Sequence, residues 1–140
     1  MMKPVSNKRI VTQKGSYMVE YSFVIITFVF VLFGILEFGR IISAYNLLAG
    51  ATREGTRYAI VHGSKGSPVA TATDIETEVK RWCLLMDTSS VVVTTTWPDG
   101  NSNAPGKRVK VQSSYTMLPF VRFVGASITL TANSQMYISN

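Results

Sequence analysis

One carboxylate lies at an unusual place in this chain, because Glu20 directly precedes an uncharged apolar run, Tyr21–Leu36. As a helix, that run spans roughly 24 Å at about 1.5 Å per residue. A bilayer core of about 30 Å needs about 20 residues, so a spanning helix has to start near Ser16. Glu20 then lies inside or at the edge of the apolar layer, where a carboxylate is costly unless it is paired or functional.

Positive charge is concentrated before the apolar run. The formal net charge is +6, but Lys3, Lys8, Arg9 and Lys14 all precede that run, and without them ten basic residues face eight acidic ones. Lys and Arg stay on the cytoplasmic side of a membrane helix. We therefore expect a single-pass membrane protein with a cytoplasmic N-terminus and a C-terminal domain on the opposite side of the membrane. We expect no nucleic-acid partner, because no aromatic residues are interleaved with the basic ones.

Two ordinary explanations of the N-terminus leave Glu20 unexplained. A cleaved secretory signal would end at a small-x-small site, and the nearest such triplet, residues 49–51, lies well beyond Glu37 and Arg40. A plain single-span anchor accounts for the apolar run but gives no reason for a carboxylate at its start.

The residues around the acid suggest a third explanation. Residues 14–21 read KGSYMVEY, which resembles the processing site of class III prepilins of the tight-adherence (Flp/Tad) branch. In that family a membrane aspartyl peptidase cuts after a glycine, and the mature chain has Glu fifth and Tyr sixth. A cut between Gly15 and Ser16 gives Glu20 and Tyr21 these two places. Glycine also lets an extended backbone enter a peptidase cleft without side-chain obstruction.

The resemblance continues beyond the apolar run, with EFGR at residues 37–40 and ATREGTRYA at residues 51–59. Both stretches are similar to the EFGR and AAREGARYA signatures of TadE-like pseudopilins, and together with the leader they cover most of residues 1–60. The signature residues carried over are Glu37, Phe38, Gly39, Arg40, Arg53, Glu54, Gly55 and Arg57.

The resemblance implies a minor pseudopilin, processed between Gly15 and Ser16 and assembled through its N-terminal helix. It also implies the inner (cytoplasmic) membrane as the location of that helix, with the C-terminal domain periplasmic or extracellular. Glu20 would pair with the new amino terminus of a neighbouring subunit, which gives a buried charge its partner. The implied partners are the prepilin peptidase, other pilins and pseudopilins, the inner-membrane assembly platform and membrane lipid. The alternative is a permanently anchored single-span protein that keeps residues 1–15 and acts as an assembly scaffold or sensor subunit.

The rest of the chain predicts a small α+β domain. The first helix should continue to residue 63, with one face of mostly small residues that includes Ala51, Gly55 and Ala59. A second helix should start at Thr73-x-x-Glu76, a capping-box pattern, and its apolar face should contain the residues Ile75, Val79, Trp82, Cys83 and Met86. Period-two patterns then predict three strands of a small antiparallel sheet. We divide the chain into a leader (1–15), an extended helix (16–63) and a globular domain (64–140).

No catalytic site is expected. The chain has one His and one Cys, so neither a catalytic set nor a metal site of the familiar Cys/His kind can be assembled from them. Asp87 and Asp99 lie in loops but are too few to predict a calcium site. We therefore predict no enzyme activity, no cofactor and no metal.

Overall fold

The computed structural model describes residues 14–120 and 127–139, with side chains from Tyr17 onward. Its elements are α1 (Lys14–Val61), α2 (Ala72–Trp82), a 3₁₀ turn (Thr88–Ser90), and the strands β1 (Val91–Thr96), β2 (Arg108–Met117) and β3 (Ile128–Tyr137). This confirms the predicted α+β class, with a long N-terminal helix, a second helix and a three-stranded antiparallel sheet.

The chain forms two compact units, one up to Leu36 and one from Glu37 onward. The described part of the first unit is apolar helix, and the second unit contains the remainder of α1, α2 and the sheet. The predicted division at residues 15 and 63 depends on processing and remains a prediction. Most of the predicted leader, residues 1–13, lies outside the described residues.

The sheet is a meander in the order β1-β2-β3, with both pairs antiparallel. Val91 lies opposite Tyr115 in the first pair, and Arg108 lies opposite Tyr137 in the second. Along β1 the more buried positions alternate with exposed ones, as the period of two predicted. One face of the sheet therefore packs on the core, which is the usual arrangement of a small antiparallel sheet covered by helices.

The small-residue face of α1 packs within the protein's own core. Leu48, Ala51, Gly55 and Ala59 are all buried. A Cβ atom at Gly55 would collide with a methyl group of Val79 on α2. The absence of a side chain at this position therefore allows the two helices to approach closely.

A buried hydrogen bond joins α1 to the sheet. The hydroxyl oxygens of Thr52 and Ser113 lie 2.8 Å apart, and both residues are fully buried. Since a buried hydroxyl needs a partner, this pair aligns the helix with the middle strand.

The start of α2 differs from the sequence prediction. The capping box is formed by Thr71 and Asp74, not by Thr73 and Glu76: Asp74 accepts from the Thr71 backbone at 2.9 Å, and the Asp74 backbone donates to the Thr71 hydroxyl at 3.3 Å. Thr71 has the extended backbone of a cap, φ −92° and ψ 165°. The capping box lies two residues earlier than predicted, because Thr71 and Asp74 have the same spacing and can exchange the same side-chain and backbone hydrogen bonds as Thr73 and Glu76.

The apolar face of α2 was predicted correctly except at its end. Ile75, Val79 and Cys83 are buried. Trp82, which was expected on this face, is 48% exposed, and its indole nitrogen donates to Glu78 at 2.9 Å. An indole at the last helical residue can satisfy its N–H one turn earlier without entering the core.

Candidate functional site on the N-terminal helix

Among the described residues of its own unit, the first part of α1 packs against no apolar partner. Every residue from Tyr17 to Leu36 is exposed, although the segment is strongly hydrophobic, and α1 is long and apolar enough to cross a membrane by length and composition. An exposed apolar surface of this size needs a nonaqueous environment. The helix therefore indicates a single-pass membrane protein.

The polar groups inside this segment are satisfied within the helix. The hydroxyl of Ser22 donates to the Met18 carbonyl, and that of Thr27 donates to the Phe23 carbonyl, both at 2.8 Å. Lipid supplies no hydrogen-bond partners, so internal pairing of this kind is what a membrane helix requires. These hydroxyls therefore do not conflict with an apolar environment.

Glu20 is the exception in this segment. It is exposed, and the described residues provide it with neither an ion pair nor a hydrogen bond. Ser16 lies four residues earlier on α1. Gly15 and Ser16 have helical backbone, and Tyr21 is 68% exposed. The four predicted processing and assembly residues therefore lie together on one short stretch of helix.

The EFGR residues have different places in the structure. Glu37 and Arg40 form an ion pair of 2.6 Å. Phe38 is 64% exposed, and a Cβ atom at Gly39 would meet no neighbouring atom. Only the two charged residues of this signature therefore make contacts that the structure can explain.

The Glu37–Arg40 pair also holds the connection after β2, which the sequence did not predict. Arg40 donates to the Leu118 carbonyl at 2.7 Å, and the other Glu37 oxygen accepts from the Phe120 backbone at 3.3 Å. The Arg40 guanidinium lies 4.7 Å from the centre of the Phe120 ring, within the range of a cation–π contact. We call this set of contacts, between Glu37 and Arg40 and residues 118–120, the helix–loop clamp.

The four residues carried over from the second signature divide into one core residue and three charged residues nearer the surface. Gly55 is buried against α2, and its role is the close helix approach described above. Arg53 and Arg57 are exposed, and Glu54 lies 3.8 Å from Arg57. A long, exposed ion pair contributes little stability, so these three charges remain available to a partner.

The loop aspartates have structural partners. The Arg108 guanidinium holds the pKa of Asp99 at about 2, with a contact of 2.6 Å that closes the β1–β2 turn. Asp87 caps the 3₁₀ turn by accepting from the Ser89 hydroxyl at 2.7 Å and from the Ser89 backbone N–H at 3.0 Å, and these bonds lower the pKa of its carboxyl. Within residues 14–120 and 127–139 there is no group of three or more His, Cys, Asp or Glu residues that could hold a metal ion.

The cysteine lies in the core. Cys83 is 1% exposed and has no disulfide partner, and burial raises the pKa of its thiol. A raised pKa leaves little of the reactive thiolate, so Cys83 serves as a small core side chain.

Comparison with known protein families adds an independent observation about the same helix. Residues 15–57 match the family of TadE-like proteins. The match confirms the resemblance and starts at the glycine of the predicted processing site. It covers Glu20, the EFGR residues and the second signature as far as Arg57. No curated protein and no solved structure matches the chain.

The sequence predicted some parts of this site and not others. The acid at the membrane edge and the two signatures were visible as motifs. The clamp was not, because its loop side uses the backbone of Leu118 and Phe120, which any residue except proline can supply as a donor or acceptor.

Proposed function

We propose that the chain is a minor pseudopilin of a tight-adherence (Flp-type) pilus assembly or secretion system. The prepilin peptidase removes residues 1–15, and the mature subunit joins the assembly through its N-terminal helix. The observation that carries this proposal is an exposed apolar helix that begins with one carboxylate, Glu20, for which the described residues provide no partner, in a segment that matches TadE-like proteins from residue 15.

The chemistry of maturation follows from the position of the cut. Hydrolysis of the Gly15–Ser16 peptide bond releases a new ammonium group at Ser16. In a filament, Glu20 of one subunit pairs with the ammonium of a neighbour, so that two charges brought into an apolar layer neutralise each other. A pair of this kind fixes the axial position of one helix against the next.

The exposed apolar surface supports both stages of this pathway. Residues 17–36 present hydrophobic side chains on all sides of the helix, which suits lipid before assembly and neighbouring helices afterwards. The pathway requires no catalysis by the chain itself. In this proposal the protein is a substrate of the peptidase and a non-catalytic subunit. The C-terminal domain distinguishes it from a pilin that is little more than a helix, and favours an adaptor, priming or surface-contacting role in adhesion or secretion.

Substitution of the glycine tests processing. Gly15→Val should block leader removal, because a β-branched side chain before the cut obstructs an extended backbone in the cleft. Gly34→Val is the matched control, since a Cβ atom there meets no neighbouring atom. The leader should be retained in the first variant and lost in the second, as seen by mass spectrometry of protein from cells that contain the peptidase. Normal maturation of Gly15→Val would refute the assignment of the cut.

Substitution of the acid tests assembly separately from processing. Glu20→Ala should be processed normally yet fail to enter the pilus fraction, because the neighbour's ammonium would lose its partner. Glu20→Gln preserves size and hydrogen-bonding capacity but removes the charge, so it should fail as Glu20→Ala does. Wild-type amounts of either variant in sheared pili would contradict the pairing.

A further inference from the structure

The outer edge of β3 carries backbone groups that point away from the rest of the sheet. β3 is ten residues long and lies at one end of the strand order β1-β2-β3. Ile138, directly after it, donates its backbone N–H to the Lys107 carbonyl and accepts at its own carbonyl from the N–H of Gly106. Because successive residues of a strand direct their N–H and C=O groups to opposite sides, the odd-numbered residues of β3 direct theirs away from β2.

Five residues therefore form what we call the open edge: Thr129, Thr131, Asn133, Gln135 and Tyr137. Their side chains are all exposed. Thr129 lies opposite Thr116, and the two hydroxyl oxygens are 3.1 Å apart, as expected for facing residues that exchange no backbone hydrogen bonds and whose side chains therefore lie closer. In residues 14–120 and 127–139, the one backbone hydrogen bond on this side lies past the end of β3, where the Ser139 N–H donates to the Ile60 carbonyl at 3.1 Å.

The two edges of the sheet differ in how they are protected. β1 is only six residues long, and α2 lies against it. Proteins usually protect a longer edge with lysines, prolines or bulges, because such an edge otherwise pairs with the edge of another molecule. The segment from Ile128 to Ser139 has no charged residue and no proline, and its pairing with β2 continues without a bulge from Ile128 to Tyr137. The open edge therefore has none of these protections.

We propose that the open edge is an interface between two copies of this chain, in which β3 of one copy pairs antiparallel with β3 of the other. A two-fold axis at Asn133 gives every open residue a partner: Thr129 faces Tyr137, Thr131 faces Gln135, and Asn133 faces its own equivalent. Each facing pair exchanges two backbone hydrogen bonds, about ten in total. The two sheets then form one continuous sheet.

The self-complementary chemistry of the open edge identifies a second copy as the partner. Thr129 and Tyr137 combine a β-branched with an aromatic side chain, which is a favourable cross-strand pair. The two Asn133 amides each have donors and an acceptor, so they can bond to each other. No like charges face each other, because the edge carries no charge. A two-fold contact of this kind also closes on itself, so no open β3 edge remains.

This inference uses only the sheet of the second unit. It depends neither on the membrane span nor on leader removal or assembly, so its failure would leave the proposed function intact.

Disulfide cross-linking of the full chain in detergent micelles tests the pairing and its register. In a Cys83→Ala background, Asn133→Cys should form a disulfide-linked dimer under mild oxidation, because facing residues of a hydrogen-bonded pair have Cα atoms about 5.5 Å apart, within the range of a disulfide. Thr129→Cys is the matched control, since its two copies would lie about 26 Å apart along the strands. A mixture of Thr129→Cys and Tyr137→Cys should instead form a mixed dimer. Cross-linking of Asn133→Cys no greater than that of Thr129→Cys would overturn the proposal.

Sedimentation equilibrium in density-matched micelles measures the same dimer without a covalent bond. The double variant Thr131→Lys, Gln135→Lys places lysines opposite each other, whereas Thr131→Lys, Gln135→Glu places opposite charges in the same register. The Kd of the dimer should be roughly 2- to 30-fold higher for the first variant than for the second, because two facing pairs change from attractive to repulsive.

Equal Kd values for these two variants would overturn the proposal, because the dimer would then use another surface. A wild-type chain that stays monomeric would also overturn it, and would leave the open edge to a strand of a different protein. Both double variants change only exposed side chains. The cross-linking and sedimentation experiments use different substitutions, so one poorly folded variant does not leave the question open.

Discussion

Gly55 provides the sharpest test of how the TadE-like signature supports the fold. A Cβ atom at this position would collide with Val79. The Val79 side chain is fully buried, and a β-branched residue in a helix has essentially one χ1 rotamer. The neighbour therefore cannot move aside without displacing the core.

The magnitude follows from two opposed effects. Gly→Ala in a helix interior stabilises by about 1 kcal/mol through helix propensity. Overpacking of a filled core costs about 1–3 kcal/mol. Gly50→Ala on the same helix is the matched control, because Gly50 is exposed and a Cβ atom there meets no neighbouring atom. The difference between the two variants isolates the overpacking cost, so Gly55→Ala should be about 1–3 kcal/mol less stable than Gly50→Ala.

Thermal unfolding of the full chain in detergent micelles measures this difference. Near-UV circular dichroism follows the packed domain, since Trp97 packs against the core. For a domain of this size each kcal/mol shifts Tm by about 4–8 °C. In the double variant Gly55→Ala, Val79→Ala, the methyl group that the new Cβ atom meets is absent. Part of the overpacking cost should therefore disappear. A Gly55→Ala protein as stable as Gly50→Ala would refute the close-approach explanation of the signature glycine.

Two other predictions concern the polar contacts of the domain. Because the Asp99 pKa is lowered from 3.8 to about 2, its contribution to stability is present above pH 4 and is lost as the pH falls from about 4 to 2. Asp99→Asn should lower Tm at pH 7, and Tm of the variant should fall less steeply than Tm of the wild type between about pH 4 and pH 2. Equal slopes of Tm against pH for the two proteins would contradict the Arg108 contact. Thr52→Val should destabilise the domain by about 1–3 kcal/mol, because it leaves the buried Ser113 hydroxyl unpaired. Adding Ser113→Ala should restore most of the lost free energy of unfolding, as measured in urea. Thr94→Val on the exposed side of β1 serves as the control. A double variant no more stable than Thr52→Val would contradict the pairing of the two hydroxyls.

The sequence predicted the elements because their signals are local. Alternation along β1 and the small-residue face of α1 depend on neighbours within a few residues, and both were confirmed in the structure. The capping box moved by two residues because Thr71 and Thr73 compete for the same role and the sequence does not rank them. Trp82 lies outside the predicted core because its indole N–H, at the end of the helix, reaches the carboxylate of Glu78.

Contacts between distant segments were beyond sequence reasoning. The pairing of Thr52 with Ser113 joins two ordinary hydroxyl residues that no motif links. The helix–loop clamp joins Glu37 and Arg40 to a loop through its backbone, and backbone groups carry no sequence signal. At the candidate site, the motif residues were identified from their types and spacing, whereas the contacts of the EFGR charges required the folded chain.

The most direct test of the central claim is the N-terminal sequence of the mature protein, recovered from cells that contain the prepilin peptidase. The account predicts a chain that starts at Ser16, with Glu20 as its fifth residue and Tyr21 as its sixth. A chain that retains residues 1–15 would contradict it, and would identify the protein as a permanently anchored membrane subunit.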